Sequence, residues 1–321
     1  MNTHTPARLL LHGCFIFFAV IWLTHAQALG QAQAPPLPDL TTIPADLTVP
    51  EMKDAAPAAG LRVRQTTPGW EGTQVHHALY LPTDWSPPEK GQGTGKKYPV
   101  IAEYAGNGGY KNKYGDVSEG TVQGSNLGFG LTAGHGYIWV CLPYIENAEG
   151  MGTKRNAIKW WGDVAETNRY ATATLKMLAE KYGADLDRVV LTGFSRGAIG
   201  CNYLGLQDDT VAPQWKAFFC HSHYDGVSDR WPYAGADRAS ALARLQRLKG
   251  RPQWLSQEGS TKASEDYLKS TGVKGDFTFH AIPFRNHSDQ WVLRDIPERK
   301  AAREWLQRAI GETQSSEAAK N

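Results

Sequence analysis

Charge, cysteine and long apolar runs are all scarce in this sequence, and each scarcity excludes something. Lys and Arg number 34 against 32 Asp and Glu, a formal charge of only +2 over 321 residues. So small a surplus argues against nucleic-acid binding as the main activity. Cysteine occurs four times. Cys14 lies in the N-terminal stretch, and the other three, Cys141, Cys201 and Cys220, are odd in number, which excludes full pairing within one chain. One disulfide stays open for an exported chain, with no pair singled out. Cys141 and Cys220 fall inside apolar runs and read as small buried hydrophobes. The run at residues 14–23 is short for a membrane span of about 20 residues. Neither an internal repeat nor a second domain is visible.

That short run has a particular setting. Arg8 precedes it, and Ala26-Gln27-Ala28 and Ala32-Gln33-Ala34 follow. This is the layout of a secretory signal, residues 1–34, with cleavage expected after Ala28 or Ala34. An uncleaved membrane anchor is the competing reading. Cleavage predicts a secreted or periplasmic chain of about 290 residues with no stable membrane insertion, a normal length for one α/β domain. Residues 35–60 are rich in Pro and Ala without a sustained period and read as a linker or a surface-hugging arm. Residues 312–321 read as a disordered tail.

Residues 61–311 alternate strand and helix signals. Strands are expected at 61–65, 74–81, 98–104, 136–144, 188–194, 215–221, 252–257 and 276–283. Asp163 with Glu166 makes a capping box ahead of the stripe Val164, Ala171, Leu175, Leu178 and Tyr182, which stops at Gly183. Further helices are expected at 237–250, 261–272 and 297–311. The alternation predicts an α/β fold, a mostly parallel sheet covered on both faces, with an antiparallel pair at its front edge. Two long loops, 107–135 and 145–162, are candidates for function.

The chemistry centres on residues 188–200, RVVLTGFSRGAIG. An apolar strand runs into Gly193-Phe194-Ser195-Arg196-Gly197 and then into a helical segment. A serine hydroxyl is a weak nucleophile until a base takes its proton. A strand-to-helix elbow lifts it to the carboxyl end of the sheet, where open α/β sheets bind ligands. The flanking glycines remove side chains that would collide in so tight a turn. Ser195 is the candidate nucleophile; a plain helix cap is the bland alternative.

With its strand, elbow and helix in this order, the chain resembles the α/β-hydrolase superfamily over roughly residues 60–310, in its secreted serine esterase and prolyl-oligopeptidase-like branch. The resemblance implies a base late in the chain, in a loop after the last strand. Phe277 to Pro283 followed by Phe284-Arg285-Asn286-His287 fits, making His287 the base and His280 a structural strand residue. It also implies an acid to orient the imidazole. Glu258, directly on the end of the preceding strand, takes that place without the family's Gly-x-x-Asp spacing, and Asp225, one strand earlier, is the rival. Oxyanion donors are implied at the backbone N–H of Arg196 and in the loop Ala105-Gly106-Asn107-Gly108-Gly109, at Gly106 and Asn107. The Arg196 guanidinium either reaches the oxyanion or a substrate carboxylate, or forms a salt bridge on the first helix turn.

His221-x-His223-x-Asp225 invites a metal reading, but Gly226 stands where a further His is needed and no other Cys or His cluster completes a site. Neither a metal nor any other cofactor is therefore expected, and His223 is assigned to the pocket wall. Trp160, Trp161, Trp231 and Trp291 fall in or beside loops that should ring Ser195, where flat aromatic walls suit sugar rings or aromatic acyl groups. The function expected is cleavage of a small-molecule or polysaccharide ester through an acyl-enzyme. A serine peptidase, or a binding protein on a hydrolase scaffold, are the alternatives.

Overall fold

The computed structural model describes residues 36–88, 95–148 and 153–311. The expected signal segment and the expected tail lie outside the described residues. The described residues from Leu37 onward form one compact unit.

Its strands, in chain order, are β1 (Arg62–Gln65), β2 (His77–Tyr80), β3 (Tyr98–Tyr104), β4 (Tyr110–Lys111), β5 (Val117–Ser118), β6 (Ile138–Leu142), β7 (Ile145–Asn147) and β8 (Lys154–Asn156), then β9 (Ala184–Phe194), β10 (Ala217–His221), β11 (Pro252–Glu258) and β12 (Asp276–Ile282). Helices are α1 (Leu127–Thr132), α2 (Val164–Tyr182), α3 (Arg196–Tyr203), α4 (Arg238–Leu245), α5 (Lys262–Thr271) and α6 (Pro297–Ala309). Eight strands form one sheet in the order β1-β2-β6-β3-β9-β10-β11-β12. It is antiparallel at β1–β2 and β2–β6 and parallel from β6 to β12.

Burial on both faces follows from the period of two along each strand. Val100, Ala102 and Tyr104 of β3 enter the core under α2 and α3, while Ile101 enters the one under α1 and α6. Helix ends follow their caps. Asp163 accepts from the Glu166 N–H at 2.9 Å, and Gly183 closes α2 at φ 75°. Glu166 does not complete a reciprocal box. Its carboxylate is taken by Trp70, Lys154 and Arg169.

The two long loops fold into more than was expected of them. The first holds the β4–β5 hairpin and α1, the second the β7–β8 hairpin. Residues 37–60 run along the domain: Pro38 O accepts from Arg285 N, and Leu47 N donates to Leu293 O. All three described cysteines are buried free thiols. Among the described residues no helix is long and apolar enough to cross a membrane.

Candidate active site

β9 lies near the middle of the sheet, between β3 and β10, and its last residue, Phe194, is followed at once by Ser195 and α3. Ser195 sits at φ 54°, ψ −112°, a conformation that costs a non-glycine residue about 1–3 kcal/mol and concentrates at functional sites. The flanking glycines are sterically required. A Cβ on Gly193 would stand 2.1 Å from the Gly197 carbonyl carbon, and one on Gly197 would stand 1.9 Å from Tyr104 O. The turn is therefore pressed against its own next residues and against the end of β3.

His287 meets the serine from the loop after β12, its Nε2 3.0 Å from Ser195 Oγ. Its Nδ1 is 3.1 Å from Glu258 Oε1, at the last position of β11. Burial raises the Glu258 pKa, but the hydrogen bond from His287, the neighbouring charges of His221 and His287, and the Ser222 hydroxyl outweigh it and hold the carboxyl down at about 2. Glu258 is thus ionised at any pH where the imidazole can act as a base.

Asp225 is not at the imidazole. It is 1 % exposed and bound in a two-pronged ion pair by Arg244 of α4, at 2.8 and 3.0 Å. Between the two candidates, only Glu258 is brought to His287. His221, His223 and Asp225 do not converge either, since His221 spends its nitrogens on Ser256 Oγ and Ser288 O. Among the described residues no group of three or more His, Cys, Asp or Glu could hold a metal ion.

The Arg196 side chain has a different task from those expected. It is 1 % exposed, lies over the Tyr144 ring, and donates to the carbonyls of Trp160, Gly106 and Gly120. With its two terminal nitrogens committed to carbonyls, the guanidinium clasps three loops together at the edge of the pocket. Asn107 Oδ1 accepts from Trp160 N at 2.8 Å, joining the same loops beside the serine. Gly106 borders a neighbouring polar cleft, on the Phe194 side.

A pocket of about 340 Å³ opens over Ser195 and His287, walled by Tyr110, Trp160, Ile199, His223 and Trp231, with Asn107 at its edge. His223 stands edge-on to both His287 and Trp231, and burial pushes its pKa down to about 4, so this imidazole is uncharged at neutral pH, while Arg196 also borders the pocket. Trp161 is not part of it. Its ring is buried, stacked on Tyr203 at 4.5 Å, and Trp291 is likewise core. Trp160 reaches the pocket because its backbone turns through φ 50°.

Three contributors gave no recognisable signal in the sequence. Tyr110 of the β4–β5 hairpin packs edge-on against the His287 ring, 4.9 Å between centroids. Asp116 of the same hairpin accepts from His287 N and from Asn286 Nδ2, both at 2.9 Å. Ser222 stands between His287 and Glu258, 2.8 Å from Nδ1 and 2.5 and 2.7 Å from the two carboxylate oxygens.

No protein-family model and no curated protein matches the chain. Solved structures do. An S-formylglutathione hydrolase from Agrobacterium tumefaciens superposes with a TM-score of 0.51 at 14% identity, covering 80% of this chain and 98% of that one. Fungal esterases from Rhizomucor miehei give 0.51 at 14% identity, covering 86% and 92%. The isopeptidase AtxE2 gives 0.47 at 13% identity, and this chain spans 41% of it. An eight-stranded sheet in this order, an elbow after a strand near its middle and two superpositions that span most of both chains lead to one architecture: the chain has the α/β-hydrolase fold.

Proposed function

We propose that the protein is a serine hydrolase that cleaves carboxylic esters through an acyl-enzyme. The observation that carries this reading is the 3.0 Å contact between Ser195 Oγ, at the apex of a strained elbow, and His287 Nε2, at the floor of an open pocket. Ser195 Oγ attacks the ester carbonyl carbon while its proton passes to His287 Nε2. The backbone N–H of Arg196 and the Asn107 loop receive the developing oxyanion, each such donor being worth about 2.7–4 kcal/mol of barrier. The imidazolium, faced by ionised Glu258, then gives its proton to the departing alkoxide. Water, deprotonated by the same nitrogen, attacks the acyl carbon; the bond to Ser195 Oγ breaks, Oγ takes the proton back from Nε2, and the carboxylic acid departs.

The pocket wall favours a neutral, ring-bearing group. Trp160, Trp231 and Tyr110 line it, His223 is uncharged, and both terminal nitrogens of Arg196 are engaged with carbonyls. The proposal extends to an exported enzyme acting on esters carried by polysaccharides, on the strength of residues 1–34 and of these aromatic walls.

Intact-mass measurement after treatment with a fluorophosphonate tests the core of the reading. One adduct on the wild type and none on Ser195→Ala is the expected result. A well-folded wild type that takes up no probe at neutral or mildly alkaline pH would overturn it. Among aryl esters, a benzoyl-type acyl group should turn over faster than a succinyl one, because the described cation beside the pocket, Arg196, has both terminal nitrogens on carbonyls.

A further inference from the structure

The structure assigns Ser222 as a fourth member of the catalytic hydrogen-bond chain, a positioning residue that connects His287 to Glu258. This inference rests on the hydrolase reading above. Ser222 is fully buried, so it cannot touch substrate. It follows β10 directly and holds φ 83°, a region that favours glycine, while its N–H donates to Ser256 O at 2.7 Å. A serine kept in a glycine conformation at this point needs a reason, and its hydroxyl supplies one.

Proton inventory fixes the direction of each hydrogen bond. Glu258 is ionised and can only accept, so the single Ser222 O–H hydrogen goes to the carboxylate. Toward His287 the same oxygen can then only accept, and Nδ1 must carry the hydrogen it receives. Nε2 is therefore left with its lone pair facing Ser195, the tautomer a general base requires. The Nδ1–Oγ distance of 2.8 Å is shorter than the direct Nδ1–Glu258 distance of 3.1 Å. Much of the orienting contact thus runs through the hydroxyl. When Nε2 takes the Ser195 proton, the positive imidazolium is met by polarisation along Nδ1–H to Oγ and Oγ–H to carboxylate. Neither Ser222 nor Glu258 changes protonation state.

The backbone strain makes the inference separable from a merely structural role. Glycine at 222 relieves the positive φ and deletes the hydroxyl, whereas alanine deletes the hydroxyl and keeps the strain. Ser222→Gly is expected to unfold at or above the wild-type temperature and yet to lose kcat roughly ten- to a hundredfold with KM unchanged. That range is what losing a supporting hydrogen bond behind a metal-bound imidazole typically costs. Ser222→Ala should lose kcat to the same extent from a less stable protein. In a Glu258→Gln background, Ser222→Gly should cost little more, because the chain is already broken. Wild-type kcat in Ser222→Gly, or the same fold-loss with and without Glu258→Gln, would overturn the assignment. Fluorophosphonate labelling keeps the two readings apart. If the wild type is not labelled, the hydrolase reading fails; if it is labelled and Ser222→Gly reacts just as fast, only the role of Ser222 fails.

Discussion

The two reacting side chains are held by opposite means. Ser195 is fixed by backbone: the chain enters it from an interior strand, leaves it into α3, and is walled in by Gly193, Gly197 and the end of β3. Everything that shapes it lies within a few residues or in the adjacent strand. His287 is fixed by side chains that arrive from far along the sequence, beyond an edge strand whose residues are mostly part-exposed. Asp116 takes its N–H, Asn286 receives Leu40 N at 2.7 Å, and Arg285 pairs with Asp39 at 2.8 Å and lies over Tyr114. The nucleophile is thus held sterically and locally, and the base is suspended from a hairpin and from residues 38–47. A change near Ser195 should break the fold of the turn, whereas one near His287 should leave the fold standing and misplace the ring.

The sharpest way to break the comparison is Gly197→Ala. The added Cβ meets backbone, Tyr104 O at 1.9 Å, and no side chain can swing aside to admit it. A loss of about 3 kcal/mol or more is expected, at or above the upper end of ordinary overpacking. Thermal unfolding and probe labelling should fall together. Labelling preserved at wild-type Tm would show the elbow to be looser than described.

On the other side, Asp116→Ala should separate the two quantities. It removes acceptors from His287 N and Asn286 Nδ2, bonds to a charged group worth at most about 3 kcal/mol each. The hairpin remains tied through Tyr110 and the β4–β5 pairing. A misplacement of the imidazole by about 1 Å costs up to about 10²-fold in rate. The expected result is kcat down roughly ten- to a hundredfold with only a modest fall in Tm, measured on the best aryl ester. Equal losses in Gly197→Ala and Asp116→Ala, in both rate and Tm, would erase the distinction.

The same contrast explains what could be read from the sequence. The strand that leads into the elbow, the helix caps at Asp163 and Gly183 and the elbow itself are local patterns, and they stand in the structure where the pattern put them. Glu258 and Asp225 could not be told apart because the choice depends on where strand ends face in space. β11 stays paired with β12 through Glu258↔Ile282, which carries the carboxylate alongside the His287 loop. The chain past His221 instead turns back and gives Asp225 to Arg244. Trp160 and Trp161 are neighbours of one type, separated into pocket and core by a φ of 50° that no propensity announces. Ser222 is hidden for the same reason. Asp116 was illegible because its partners lie 170 and 171 positions away.

The effect with the least consequence for activity sharpens the picture of the base side through pH. Asp289, two residues past His287, is buried with one oxygen on Asn126 Nδ2 at 2.8 Å. Burial, then repulsion from Glu103, raises its carboxyl from 3.8 to about 7. A carboxyl raised on folding makes the native state hold the extra proton between about pH 4 and 7, so stability falls as pH rises through that window. The full shift corresponds to about 4 kcal/mol at most. Glu258 acts in the opposite sense and in a different window, since its depressed pKa adds stability above about 4.5 that is lost only on acidification toward about 2. Asp289→Asn keeps an acceptor for Asn126 and removes the charge, so it should raise Tm by several degrees at about pH 8 and by little at about pH 4. No comparable pH-dependent gain is expected from neutral substitutions at the elbow, where, among the described residues, no carboxyl is hydrogen-bonded to Ser195. A Tm difference for Asp289→Asn that is the same at both pH values would mean that its carboxyl is ionised throughout, and that the base loop carries no buried acid working against it.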